Sequence, residues 1–187
     1  MEEDTRNLVD EYKGLSNEEV FSRLAKKRSA LEVTIENVSH DFNAGTIVRN
    51  ANNFNAAKVH IIGKRKYNRR GAMCTDKYLE ICHFPTVDEF IKNQKARGRE
   101  VVAIENHIGD IKRTDGTKVE CLPIEEKEFK ENTTLVFGGE SDGITSELLA
   151  KCDDVREISS FGSTRSVNVG VASGIAMYEW AKQNLKR

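Results

Sequence analysis

Residues Thr133-Thr-Leu-Val-Phe-Gly-Gly-Glu-Ser-Asp-Gly-Ile-Thr-Ser-Glu-Leu-Leu149 decide the fold of this chain. The β-branched and apolar run 133–137 predicts a buried strand, and Thr145 ahead of Ser-Glu-Leu-Leu marks the start of a helix. A glycine-rich turn lies between the two. A strand that leads directly into a helix is the building unit of a parallel α/β sheet.

Segments of the same kind recur along the rest of the chain. Alternating or β-branched apolar residues predict further strands at 31–35, 58–62, 100–104 and 154–158. Helix start signals and helical patterns predict helices at 17–28, 87–97 and 168–184. The chain is therefore expected to alternate between strand and helix.

This alternation predicts an α/β fold with a mostly parallel sheet covered by helices on both faces. We expect an N-terminal helical extension over residues 1–28 and one domain over 29–187, because no Pro-, Gly- or Ser-rich tract marks another linker. Open parallel sheets bind ligands at the carboxyl ends of their strands. The loops where chemistry is expected are those after Ile35, Ile104, Phe137 and Ile158.

The composition is that of an ordinary domain. A chain of 187 residues can build a core without disulfides. Its four cysteines form no CxxC pair and no Cys/His set with zinc-site spacing, so we expect reduced thiols within the core, no metal and a cytoplasmic location. The longest uncharged stretch, 166–178, is too short and too polar to span a membrane, and the acidic N-terminus is no signal peptide. We therefore expect no membrane partner.

The net charge of -1 conceals a strong local asymmetry. Between residues 58 and 77 the chain has seven basic residues and a single acid, Asp76. The acids are concentrated instead at 2–19 and 120–131. This pattern indicates one face suited to a polyanion, although a solvated loop would have the same composition.

The turn after the strand 133–137 is compatible with several interpretations. Gly139-Glu-Ser141-Asp-Gly143 matches the G-x-S-x-G pattern of hydrolases, but all four histidines precede Ser141, whereas that fold needs one after it. Neither the G-x-G-x-x-G string of a nucleotide-binding oxidoreductase nor a P-loop is present. What remains is a turn whose backbone can approach a ligand closely, or simply a structural glycine turn.

Two further clusters contain residues able to bind a ligand. The segment 41–54 holds Asn43 and Arg49, which could converge on one anion if Asn43 lies in the loop that enters a helix. They could equally be a helix cap and a surface ion pair. The segment 163–178 holds Ser166 and Asn168, either of which could cap a helix whose small residues allow close packing.

The three clusters, in this order, resemble the signature motifs of the SpoU/TrmH class of SPOUT RNA methyltransferases, which use S-adenosyl-L-methionine to methylate the 2'-hydroxyl of a ribose. Asn43 with Arg49 is similar to the first motif. The second and third motifs correspond to 135–143 and 166–172. The resemblance covers residues 30–184 and implies a C-terminal trefoil knot and homodimers with the site at the interface. A compact chain with one short N-terminal helix is expected to recognise its RNA with the catalytic domain itself, and on that ground we expect tRNA rather than rRNA as the substrate.

The resemblance also implies roles for individual residues. The motif positions of the reaction site are Asn43, Arg49, Glu140, Ser166 and Asn168, and those whose backbones hold the cofactor are Gly138, Ile158 and Val167. A guanidinium is a poor base, so we interpret Arg49 as a fork that binds the phosphate next to the target ribose. The basic residues expected to bind RNA are Lys64, Arg65, Lys66, Arg69 and Arg70. The alternative is a non-catalytic RNA-binding protein that retains the knotted fold.

Overall fold

The computed structural model describes residues 6–36, 42–64, 69–106, 108–139 and 142–185. Within these residues the helices are Asn17–Ala25 (α1), Phe42–Asn53 (α2), Val87–Ala96 (α3), Ser146–Lys151 (α4) and Val169–Asn184 (α5). Short 3-10 turns lie at Asp10–Tyr12, Arg70–Ala72 and Thr75–Tyr78. The strands are Glu32–Glu36 (β1), Lys58–Ile62 (β2), Ile81–Phe84 (β3), Glu100–Ile104 (β4), Cys121–Pro123 (β5), Thr133–Phe137 (β6) and Asp154–Glu157 (β7).

These strands form one sheet in the order β3-β2-β1-β6-β4-β7-β5, and every pair of neighbours is parallel. The prediction of a mostly parallel α/β sheet is therefore confirmed. Because all strands run in one direction, their carboxyl ends meet at a single edge of the sheet. The knot itself stays a prediction.

Helices cover both faces of the sheet. One core cluster joins α2 and α5 to residues of β1, β2, β4 and β6, with Trp180 fully buried in it. A second cluster joins α3 and α4 to the opposite face of the same sheet, around Phe90 and Leu148. The predicted two-faced covering is confirmed, and it explains why even the polar side chains of β1 are buried.

Sequence reasoning missed the two edge strands, β3 and β5. Ile81-Cys-His-Phe84 has no clean alternation, and β5 has only three residues and ends in Pro123. Proline cannot donate to a strand ladder, but it is tolerated in an edge strand. Helix α1 is also shorter than predicted: it ends at Ala25 rather than residue 28.

The N-terminal extension packs on the connection between β2 and β3. Ser16 and Glu19 form the predicted capping box at the start of α1. Tyr12 and Val20 pack with Tyr78 in a separate small apolar cluster. The division into an extension, 1–28, and a main domain, 29–187, stays a prediction.

The interpretation of the cysteines as core residues holds only for Cys152, which is buried. Cys82 and Cys121 are partly buried, and Cys74 is exposed in a left-handed turn with φ 64°. Cys74 lies outside the core because it joins two short 3-10 turns. Among the helices that the structure describes, none has the length and apolar character needed to cross a bilayer.

Candidate active site

A cavity of about 620 Å³ opens where β4, β6 and β7 end. This volume is within the range of about 300–1,000 Å³ that is typical of small-molecule sites. The residues that form its walls include Glu105 and Asn106 after β4, Gly138, Gly139 and Gly143 after β6, and Ile158, Ser166, Val167 and Asn168 between β7 and α5. The structure thus brings together the loops after Ile104, Phe137 and Ile158.

Gly138 has no room for a side chain. A Cβ added there would lie 2.1 Å from the carbonyl carbon of Gly143 and 2.4 Å from the backbone nitrogen of Ile144. The turn folds back on itself because the Gly143 backbone nitrogen donates to the Gly139 oxygen at 3.0 Å, with Gly143 at φ +62°. The cavity wall is therefore bare backbone at this point, as the glycine-rich sequence indicated.

Sequence reasoning did not identify two polar residues that line the cavity, Glu105 and Asn106. Glu105 accepts a hydrogen bond from the Ile144 backbone at 2.9 Å, and Asn106 donates to the oxygen of Ile158 at 3.2 Å. They follow a strand whose residues are all buried, but no motif singled them out. Their position directly after a predicted parallel strand was the signal that could have found them.

Cys121 lies next to this wall and donates from Sγ to the Glu105 backbone oxygen at 3.4 Å. Burial raises the pKa of the Cys121 thiol to about 12, and the negative charge of Glu157 adds to the effect. The thiol is therefore neutral at physiological pH, which argues against a nucleophilic role.

The start of α5 forms the third wall. Asn168 is the N-cap, and its Oδ1 accepts from the backbone nitrogens of Gly170 and Val171 at 2.9 and 3.3 Å. The cap interpretation of Asn168 is therefore correct, and Ser166 lies two residues earlier on the cavity wall. A Cβ at Gly170 would lie 2.9 Å from Thr46 Cγ2, so α5 and α2 pack closely here.

The structure does not bring Asn43 and Arg49 to the cavity walls formed by the described residues. Asn43 is the second residue of α2 rather than part of the loop before it, so the condition under which Asn43 and Arg49 would converge on one anion is not met within the chain. Arg49 is exposed on the same helix. Helix α2 is nevertheless fastened to α5, because Asn50 Nδ2 donates to the Gly170 oxygen and to Ser173 Oγ, both at 2.9 Å.

The predicted RNA-binding segment is described only in part. Lys64, Arg69 and Arg70 are exposed, and Arg69 Nε lies 3.4 Å from Asp76 Oδ2. Arg65, Lys66 and Glu140 are outside the described residues. The turn Arg70–Ala72 packs on α2, where a Cβ added at Gly71 would lie 2.4 Å from the Phe42 oxygen.

A parallel α/β domain with a backbone-walled cavity at its carboxyl edge belongs to the class of proteins that bind a small ligand at that edge. The sequence model of the SpoU rRNA Methylase family matches residues 30–178. The chain belongs to this family, and the resemblance seen in its motifs is confirmed.

Individual relatives agree with this assignment. The chain is 26% identical over 167 residues to the tRNA (guanosine(18)-2'-O)-methyltransferase of Escherichia coli, covering 88% of this chain and 68% of that protein. It is 26% identical over 169 residues to the enzyme of the same name from Thermus thermophilus, covering 87% and 80%. The crystal structure of the A. aeolicus TrmH/SpoU tRNA modifying enzyme superposes with a TM-score of 0.73 at 26% identity, covering 89% of this chain and 83% of that one.

Proposed function

We propose that this protein is an S-adenosylmethionine-dependent RNA methyltransferase that acts on a ribose 2'-hydroxyl of tRNA. Membership of the SpoU family confirms the enzyme class and the cofactor predicted from the sequence. The observation that carries the proposal is the cavity at the carboxyl edge, to which Gly138, Ile158 and Val167 all contribute. The substrate named for the two relatives supports tRNA as the RNA.

The residues of the cavity fit the cofactor. Gly138, Gly139 and Gly143 line the cavity with no side chain, so the cofactor can lie directly against the backbone of the turn. Ile158 and Val167 supply apolar contacts, and Ser166 and Asn168 supply polar groups on the same wall. When bound, S-adenosylmethionine provides an activated methyl group, so the chain has mainly to orient the ribose hydroxyl and leave a route for its proton.

Arg49 is proposed to bind the phosphate next to the target ribose through its planar guanidinium. That phosphate or a water molecule then takes the hydroxyl proton, because a guanidinium remains protonated. Asn43, Glu140, Ser166 and Asn168 are proposed to organise Arg49 and the ribose. Since Arg49 is exposed and outside the cavity walls of its own chain, we propose that it serves the cavity of a second copy.

Helix α5 supports the proposed homodimer. Val171, Ile175 and Tyr178 are 54%, 39% and 53% exposed and share one face of the helix at i, i+4 and i+7 spacing. An exposed apolar stripe of this kind is typical of an interaction surface. It begins beside Val167, which is 41% exposed on the cavity wall, so a second copy seated there would complete the site.

The exposed residues Lys64, Arg69 and Arg70, with Arg65 and Lys66, are proposed to contact the RNA phosphates. Such contacts add affinity without sequence information.

The absence of disulfide-type cysteine spacing supports a reducing, cytoplasmic location as part of the same proposal.

The test is transfer of a radiolabelled methyl group from S-adenosylmethionine to purified tRNA, followed by mapping of 2'-O-methyl positions. We expect incorporation by the wild-type protein and a loss of at least about 100-fold for Arg49→Lys, because an ammonium cannot form the bidentate contact. Near-normal turnover of Arg49→Lys would contradict the phosphate clamp. RNA binding without any methyl transfer by the wild type would identify the non-catalytic alternative.

A further inference from the structure

Carboxylates from two neighbouring strands hold the turn between β6 and α4. Strand β6 lies between β1 and β4 in the sheet. Glu36 is the last residue of β1, and Glu105 comes directly after β4. The turn that follows β6 therefore has one of these two side chains on each side.

Glu36 binds Thr145 twice. Its Oε2 accepts from the Thr145 backbone nitrogen at 2.7 Å, and its Oε1 accepts from Thr145 Oγ1 at 2.6 Å. Thr145 is also the N-cap of α4, because its hydroxyl accepts from the Leu148 nitrogen at 3.3 Å. Glu36 is 2% exposed, so removal of the carboxylate would leave the Thr145 donors without a partner.

Glu105 binds Ile144, the residue immediately before Thr145. Its Oε2 accepts from the Ile144 backbone nitrogen at 2.9 Å, and its Oε1 accepts from the Asn106 nitrogen at 2.9 Å. The carboxylate is in close contact with the turn, since a Cβ at Gly143 would lie 2.6 Å from Oε2. Two successive amides, those of Ile144 and Thr145, are thus bound from opposite sides.

We propose that Glu36 and Glu105 are positioning residues that fix the β6–α4 turn in the conformation that binds S-adenosylmethionine. They act through the backbone of residues 143–145, which packs directly on Gly138 in the cavity wall. This inference rests on the proposed function. Because the sheet pairing of β1, β4 and β6 does not depend on either carboxylate, their removal should loosen the turn and leave the sheet intact.

The experiment compares S-adenosylmethionine affinity, measured by isothermal titration calorimetry on the full chain, among three variants. We expect Glu36→Leu to raise the Kd about tenfold or more while kcat at saturating cofactor stays within about threefold. Glu36→Gln should bind nearly normally, because its amide oxygen accepts from the Thr145 nitrogen and its amide nitrogen donates to Oγ1. Glu105→Gln should bind more weakly, because an amide nitrogen cannot accept from either backbone donor.

The matched control is Glu32→Leu, which removes an equally buried carboxylate from the same face of β1 at the opposite end of the strand. A merely structural role would give both leucine variants the same result, a lower Tm with unchanged Kd. Hydrogen exchange should become faster at the Ile144 and Thr145 amides in Glu36→Leu and not in Glu32→Leu. If Glu36→Leu does not fold, Glu105→Gln provides the same comparison.

Wild-type affinity for S-adenosylmethionine tests the proposed function by itself, and the comparison among variants tests the two carboxylates. Equal affinity in wild type, Glu36→Leu and Glu105→Gln would overturn the positioning role. A fall in kcat at saturating cofactor with unchanged Kd would overturn it as well.

Discussion

The carboxylate of Glu32 lies in the sheet with 1% of the residue exposed. One imidazole and two guanidinium groups surround it. His60 Nε2 lies 2.8 Å away, Arg97 binds both oxygens, and Arg99 Nε lies 3.2 Å away. Burial raises the pKa of Glu32, but the hydrogen bonds from His60 and Arg97 and the charge of Arg99 outweigh it and leave the pKa at about 2. The carboxylate is therefore charged in the folded protein and bound on all sides.

A depressed pKa makes this site a source of acid-sensitive stability. The contribution is present above the unfolded pKa of 4.5 and is lost as pH falls towards about 2. We expect Glu32→Gln to lower the free energy of unfolding by roughly 3 kcal/mol at pH 7 and by roughly 1 kcal/mol at pH 3. Urea unfolding at both pH values measures this, and Asp110→Asn, which removes an exposed ion pair, is the control. A deficit that does not shrink at low pH would contradict the assignment.

Gly138 makes a second prediction at this scale. The Gly138→Ala change places a methyl group 2.1 Å from the backbone of Gly143, so the turn that lines the cavity must change its conformation. We expect S-adenosylmethionine binding to weaken by at least about tenfold. Gly174→Ala is the matched control, since its Cβ would meet Asn50 Nδ2 at an ordinary 3.4 Å. Calorimetric titration of both variants checks this, and equal affinities would mean that the turn does not contact the cofactor.

Helix α5 depends on a cap that is also part of the proposed site. Asn168 Oδ1 satisfies two backbone donors of the first turn. We expect Asn168→Ala to lower the free energy of unfolding by about 1 kcal/mol and Asn168→Asp to retain it. If the amide nitrogen also organises the site, Asn168→Asp should still lose methyl transfer. Denaturant unfolding and turnover, measured on both variants, separate the two roles, and normal turnover of Asn168→Asp would leave Asn168 with the cap alone.

The elements show how far sequence patterns reach. Strands β2, β4 and β6 lie where their apolar runs predicted them, because a buried central strand must be apolar or β-branched. The edge strands β3 and β5 were missed because an edge needs no such pattern. The loops that form the cavity could be predicted from the sheet topology and the family resemblance. Glu105 could not, because its partner Ile144 is 39 residues away in the chain and only folding brings the two together.

At the scale of the whole molecule, the basic residues Arg69 and Arg70 lie on the face of the sheet that α2 covers, away from the face that α3 covers. We expect charge reversal at Arg69 and Arg70 to abolish RNA binding at physiological salt and leave cofactor affinity intact. Residual RNA binding at low salt should have a shallower salt dependence, because fewer phosphates are neutralised. Lys92→Glu combined with Lys95→Glu on α3 is the control for net charge, since both lysines are exposed. Filter binding over a salt series measures this, and equal loss of RNA and cofactor binding would mean that the segment is structural.

The exposed position of Arg49 leads to a prediction about two subunits together. If Arg49 serves the partner's cavity, a heterodimer of Arg49→Ala and Gly138→Ala chains contains one complete site, with Arg49 from one chain and Gly138 from the other. With S-adenosylmethionine held well below the Kd of Gly138→Ala, each variant alone should show little methyl transfer. An equal mixture, allowed to exchange subunits, should recover about a quarter of wild-type methyl transfer, because about half the dimers are mixed and each has one intact site of two.

A substitution in the apolar stripe of α5 tests whether the recovery of methyl transfer in the mixture depends on the proposed interface. Adding Ile175→Glu to both chains places a charge on the apolar stripe, so the mixture should stay inactive and run at the chain mass of 21.1 kDa in light scattering. Phe21→Glu, a similarly exposed apolar position on α1, should change neither mass nor recovery. No recovery from a mixture that is dimeric would show that Arg49 acts within its own chain, because then neither chain of the heterodimer holds a complete site.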